Sequence, residues 1–249
     1  MLKSLTASAL GAGLAAGLVA AALQLLLLVP LIGEAELYES GALTHFSAGE
    51  AAPHDHAGES DGHDHAASDG HDHDHAGHSH DGASGFDRTL LTILSTVATY
   101  TGFALIMVAG FAVAEGAGLS RITPRQGMLW GLAGFAATQF LPALGLAPEL
   151  PGSGAAALEA RQTWWLMTAA LTLAGIGLMA AVKSPLRYAG ILLIALPHVF
   201  GAPHPEGYAG VTPPELAALF AARVLVVGGV AWLALGWLAG LLWSRETAS

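Results

Sequence analysis

The fold class this sequence predicts is an all-α polytopic membrane protein. It has about six transmembrane helices, one of them short and proline-broken, and a disordered His/Asp-rich extracytoplasmic loop. Three observations carry that reading. The 249 residues are 53% hydrophobic and only 11% charged, where a soluble domain carries about a quarter charged residues. Apolar runs recur that match the roughly 20 residues needed to cross a hydrocarbon core of about 30 Å. The net charge of -10 is also confined to one region. Ten carboxylates lie between Gly41 and Asp87 with no lysine or arginine among them, and the remaining chain holds nine acids and nine bases.

The first element, about residues 4–29, is an uncleaved span. Lys3 precedes an apolar run far longer than the 7–15 residues of a signal-peptide core. It ends in VPLIGEAELYE, which places Glu34, Glu36 and Glu39 at its outer end, and residues 1–40 form the first unit. Residues 41–87 are the His/Asp loop, and residues 88–249 hold five further helices. Four of these are plain, at about 89–113, 126–146, 163–182 and 216–243. The fifth, about 188–202, is short and contains Pro197, which removes an N–H and frees the carbonyl of Leu193.

Counting that short segment as a span makes the charges sort by the positive-inside rule. One face receives Lys3, Arg121, Arg125, Lys183, Arg187 and Arg245, and the other only Arg88 and Arg161. Both termini are then cytoplasmic. Gly13 and Gly17, Gly127 and Gly131, and Gly236 and Gly240 are small-xxx-small pairs of the kind that bring helix backbones together in lipid. Trp164, Trp165 and Trp243 sit near helix ends, where interfacial aromatics are expected. Arg223 falls inside the last span, where it snorkels outward or pairs with Glu215; Gln139 is the other polar group noted within a span.

Ten of the 12 histidines lie in the loop. Its unit is His-Asp-His: His54-Asp55-His56, His63-Asp64-His65, and His71-Asp72-His73-Asp74-His75, followed by His78 and His80. So polar a segment buries too little apolar surface to offset the entropy of ordering. Neutral imidazole suits Zn2+, Ni2+, Cu2+ and Co2+, and interleaved aspartates attract cations and supply oxygen ligands. Such a tract binds several ions, follows the Irving–Williams order rather than one geometry, and releases metal as its imidazoles protonate near pH 6. A solvating tether that merely concentrates ions has the same composition. Beyond the loop, Glu34, Glu36, His198, His204 and Glu206 fall at or near the same outer face and form a candidate cation site.

Several function classes are excluded or disfavoured. The absence of cysteine removes disulfides, thiolate metal sites and thiol catalysis. There is no phosphate-binding G-x-x-x-x-G-K-[ST] stretch and no H-E-x-x-H, so neither ATP hydrolysis by that route nor a zincin-type enzyme is indicated. Nothing suggests nucleic-acid binding.

Four stretches, VPLIGEAELYE, GLAGFAATQFLPALGLAPELPG, ARQTWWLMTA and ALPHVFGAPHPE, resemble the CbtA family of cobalt transporter subunits, in order over nearly the whole chain outside the histidine tract. The resemblance implies a bacterial cytoplasmic (inner) membrane protein serving cobalt supply for cobalamin synthesis. It also implies a small single-span, histidine-containing partner of the CbtB type. Family members are usually described with about five spans, and the segment holding His198 is the source of the difference from six. Two functions follow. One is a Co2+ (or Ni2+) uptake subunit with the loop collecting the ion. The other is a non-transporting membrane-anchored buffer or chaperone feeding another permease.

Overall fold

The computed structural model describes residues 2–45, 85–207 and 210–247. Within them the chain is helical, and an isolated β-bridge between Ser153 and Gly210 ties two connections together. The helices are α1 (Leu2–Leu27), α2 (Val29–Glu39), α3 (Gly85–Gly116), α4 (Pro124–Phe135), α5 (Leu141–Ala143), α6 (Leu158–Ala181), α7 (Ala189–Phe200) and α8 (Pro214–Glu246). A π-turn, Ala136–Phe140, joins α4 to α5, and a 3-10 turn, Pro185–Tyr188, leads into α7. Four helices are long and apolar enough to cross a membrane: α1 over Leu5–Leu27, α3, α6 and α8.

The contacts fix the direction of each segment. Gly13 meets Thr101 and Gly17 meets Val97, so α3 runs antiparallel to α1. Gly11 meets Leu242 while Arg223 reaches Leu27, so α8 also runs against α1. Gly127 lies on Gly236 and Gly240, and Gly131 on Trp232, which sets α4 antiparallel to α8. Gly175 meets Gly190 and Ile194, pairing α6 with α7, and Trp165 on α6 bonds Thr138 of the π-turn. Successive segments therefore alternate in direction: α1, α3, the α4–α5 run, α6, α7 and α8. That is the alternation six spans require, although two of the segments are irregular. The α7 run, four 3-10 and 12 α residues, rises only about 26 Å, less than the ~30 Å core.

The first turn of α1, which carries Lys3, and the last turn of α8 consequently lie at one end of the bundle, with Arg121, Arg125, Lys183, Arg187 and Arg245; this is the basic end. The chain leaves at His45 and returns at Gly85 at the opposite, tract end. The two arginines at that end are each held by a carboxylate. Arg88 Nη2 lies 2.7 Å from Glu36 Oε1, and Arg161 Nη2 lies 2.6 Å from Glu149 Oε2.

Small side chains make the core. Ala9, Ala12, Ala16 and Ala20 form a fully buried stripe on α1, at the spacing of one helical face. All three Gly-xxx-Gly pairs named from the sequence lie at helix contacts. Backbone approaches this close leave no room for a Cβ, and van der Waals packing is what holds helices together in lipid. Phe103 and Trp232, with ring centroids 4.7 Å apart, and Phe111 and Trp130, 5.4 Å apart edge to face, fill the gaps.

Two sequence expectations are corrected here. Trp164 and Trp243 do not face the interface; they are 5% and 3% exposed. Their indole N–H groups turn inward, to the Pro197 carbonyl at 3.4 Å and to Glu115 Oε2 at 3.0 Å. A buried indole N–H needs an acceptor, and the bundle supplies one to each ring. Arg223 neither pairs with Glu215 nor simply snorkels; its Nη1 donates to the Leu27 carbonyl at 3.1 Å, where α1 breaks before α2. Pro30 lacks the N–H that would continue the ladder through that break.

Candidate metal-handling face

The tract end gathers four kinds of polar groups. The first is α2, an extension of α1 that stays helical through Glu39 and buries Leu31 and Ala35. Glu34 on it is exposed, while Glu36 is engaged by Arg88. The second is the connection after α7, where Gly201 takes φ +84 and stops the helix; His204 and Glu206 lie exposed beyond it. Third, the α5–α6 and α7–α8 connections are joined to each other. Val211 N–H donates to the Gly152 carbonyl at 3.0 Å and Thr212 Oγ1 to the Pro151 carbonyl at 2.6 Å. Gly152, at φ +76, lets the chain turn there.

The fourth is a cavity of about 640 Å³ between these connections and the end of α2. Tyr38, Thr44, His45, Ser153 and Thr212 give it a rim of hydroxyls and one imidazole. His45 is the last described residue before the tract, so the cavity opens where the histidine segment begins. Sequence reading missed it as a site residue because His45 has no aspartate neighbour and stands outside the His-Asp-His units.

His198 lies deeper. It is on the last turn of α7, just after Pro197, with its ring edge-on to Trp164 at 5.7 Å between centroids. Its Nε2 is buried without a hydrogen-bond partner. A buried imidazole nitrogen normally finds a partner, so this atom stands open to a cation. The other unpaired buried side-chain nitrogen or oxygen atoms among the described residues are Ser8 Oγ, Gln139 Oε1, Thr172 Oγ1 and Trp232 Nε1. Gln139 sits on the π-turn over Gly228, whose missing side chain makes room for it.

The π-turn has a local cause. Pro142 has no N–H to give to the Thr138 carbonyl four residues earlier. Trp165 Nε1 takes that carbonyl instead, at 3.0 Å. π-turns inside helices occur often at functional sites.

The structure places Glu34, Glu36, His204 and Glu206 at the tract end with His198 below, but it does not assemble them. Among the described residues no three His, Asp or Glu side chains come together closely enough to hold an ion. His54, His56, His63, His65, His71, His73, His75, His78 and His80 lie outside the described residues.

Alternating apolar helices with a basic end and an opposite end bearing His45 and His204 define the class: an all-α, multi-span membrane protein. The chain matches, over residues 2–244, the family described as "Probable cobalt transporter subunit (CbtA)", and it belongs to that family. No curated protein and no solved structure matches it.

Proposed function

We propose that the chain is the membrane-embedded subunit of a bacterial inner-membrane cobalt uptake system, able to take Ni2+ as well, whose histidine tract collects the ion outside. Membership of a cobalt transporter subunit family supports this reading most directly. In it the basic end is cytoplasmic, and the tract, His45 and the 640 Å³ cavity face the exterior. The unpartnered Nε2 of His198 is the observation that draws the route inward from that face.

The tract supplies imidazole and carboxylate ligands suited to divalent transition-metal ions. Glu34, Glu36, His204 and Glu206 add oxygen and nitrogen ligands where the connections meet. Glu36 must first release Arg88, and that exposed pair contributes only about 0–1 kcal/mol, so a divalent ion can displace it. His198 takes the ion next. A membrane potential of ~100 mV favours inward movement of a divalent cation by about 4.6 kcal/mol. A small single-span, histidine-containing subunit of the CbtB type completes the system.

Accumulation of 57Co2+ by cells expressing the chain, with and without that partner, tests the proposal. Cells carrying the chain with residues 47–85 deleted should still accumulate cobalt, with half-saturation moved to higher concentration. The His198→Ala, His204→Ala double variant should not. Cobalt held by the tract at the cell surface with no internal accumulation, partner present, would leave the membrane-anchored buffer as the function.

A further inference from the structure

A second cavity, of about 530 Å³, opens between the α4–α5 run, the start of α6 and α8. Its lining is graded along the bundle axis. Arg161, Glu149 and Gln162 stand at the tract end, Trp165 follows, and Leu166, Val224 and Leu225 line the wall towards the middle of the bundle, where Thr138 and Gln139 of the π-turn are the polar exceptions. The Arg161–Glu149 pair is two-thirds buried, with side chains 32% and 28% exposed, and joins Nη2 to Oε2. A guanidinium carries five N–H donors and a carboxylate two acceptor oxygens, so one such contact leaves both partners with bonding capacity.

We infer that this groove holds one phospholipid with a zwitterionic amine headgroup, of the phosphatidylethanolamine type. The gradient of the wall repeats the gradient of a lipid in that leaflet: charge at the headgroup level, an amphipathic indole at the boundary, and hydrocarbon below. The headgroup is chosen by charge. A lone cation between helices selects an anionic lipid, but here cation and anion stand side by side. The lipid phosphate accepts from the guanidinium of Arg161, and the adjacent ammonium donates to the carboxylate of Glu149. Trp165 is held in place for this by its bond to Thr138. A divalent metal ion is a poor occupant, because Arg161 repels it and most of the wall offers no ligand. The inference stands apart from the cobalt reading and survives its failure.

The test uses the full chain in phosphatidylcholine vesicles containing a fixed fraction of a lipid brominated on its acyl chain, which quenches nearby indoles. The Trp165 signal is the difference between the unaltered protein and Trp165→Phe. Brominated phosphatidylethanolamine should quench Trp165 more than brominated phosphatidylcholine or phosphatidylglycerol does. Arg161→Gln should abolish the preference. Glu149→Gln, which leaves the cation alone, should transfer it to phosphatidylglycerol. Equal quenching by all three headgroups, or a preference unchanged in Arg161→Gln, would overturn the inference. So would saturable quenching of Trp165 by Co2+ that added phosphatidylethanolamine does not relieve. Should Trp165→Phe fail to fold, native mass spectrometry of the lipids retained by the unaltered protein and by Arg161→Gln gives the same decision.

Discussion

The most exacting prediction concerns the contact between α4 and α8. A Cβ added at Gly236 would fall against the Gly127 carbonyl oxygen and 2.9 Å from the Gly131 nitrogen. One added at Gly127 would lie 2.9 Å from the Gly240 Cα. The opposing atoms are backbone, so no rotamer change relieves the overlap, and the helix axes must separate. Overpacking of a tight interior costs about 1–3 kcal/mol. At roughly 2–4 °C per kcal/mol for a chain of this size, Gly236→Ala should lower the melting temperature by roughly 2–12 °C. Gly177→Ala is the control, because nothing lies within 4 Å of a Cβ there. Alanine is the better helix former by about 1 kcal/mol, so that variant should melt with the unaltered protein or above it. Intrinsic fluorescence of the purified protein during heating reads both. If Gly236→Ala melts with the unaltered protein, or Gly177→Ala falls as far as Gly236→Ala, small-residue packing does not hold this pair of helices together.

Three further outcomes are expected. Metal bound by the histidine tract, measured by equilibrium dialysis, should be retained at pH 7.5 and largely lost by pH 5.5. Imidazolium has no lone pair to give, so binding falls as pH drops through about 6; binding flat across that range would mean the aspartates carry it. Reporter fusions after Glu246 and within the tract should report opposite sides of the membrane, and fusions after Met1 and Glu246 the same side; termini on opposite sides would contradict six traverses. Glu36→Gln should change the melting temperature little, since the Arg88 pair is exposed and such pairs contribute about 0–1 kcal/mol; a large drop would show that the pair fixes α2.

Much of the bundle was legible because bilayer crossing leaves a coarse signal. Length, hydropathy and the arginine and lysine positions located the segments, and the Gly-xxx-Gly pairs marked real contacts. Less visible were features that depend on a distant partner. Pro142 announced a freed carbonyl, but its acceptor role towards Trp165 depends on where α6 packs. Arg223 had a carboxylate two turns away in sequence, yet the broken end of α1, 196 residues distant, takes it. Glu36 reads as an open ligand until Arg88, 52 residues on, is seen beside it. The candidate site was legible as a set of residues on one face and not as a geometry. Its members come from α2, α7 and the α7–α8 connection, and no local pattern sets the distances between such segments.

Flux into sealed vesicles tests most directly whether the chain moves cobalt across a bilayer. Proteoliposomes containing the chain and its single-span partner would receive external 57Co2+ under an imposed inside-negative potential, followed by a chelator wash. Chelator-resistant cobalt should accumulate with time, grow with the potential, and be absent in the His198→Ala, His204→Ala variant. Cobalt that the chelator removes completely, at any potential, would contradict transport.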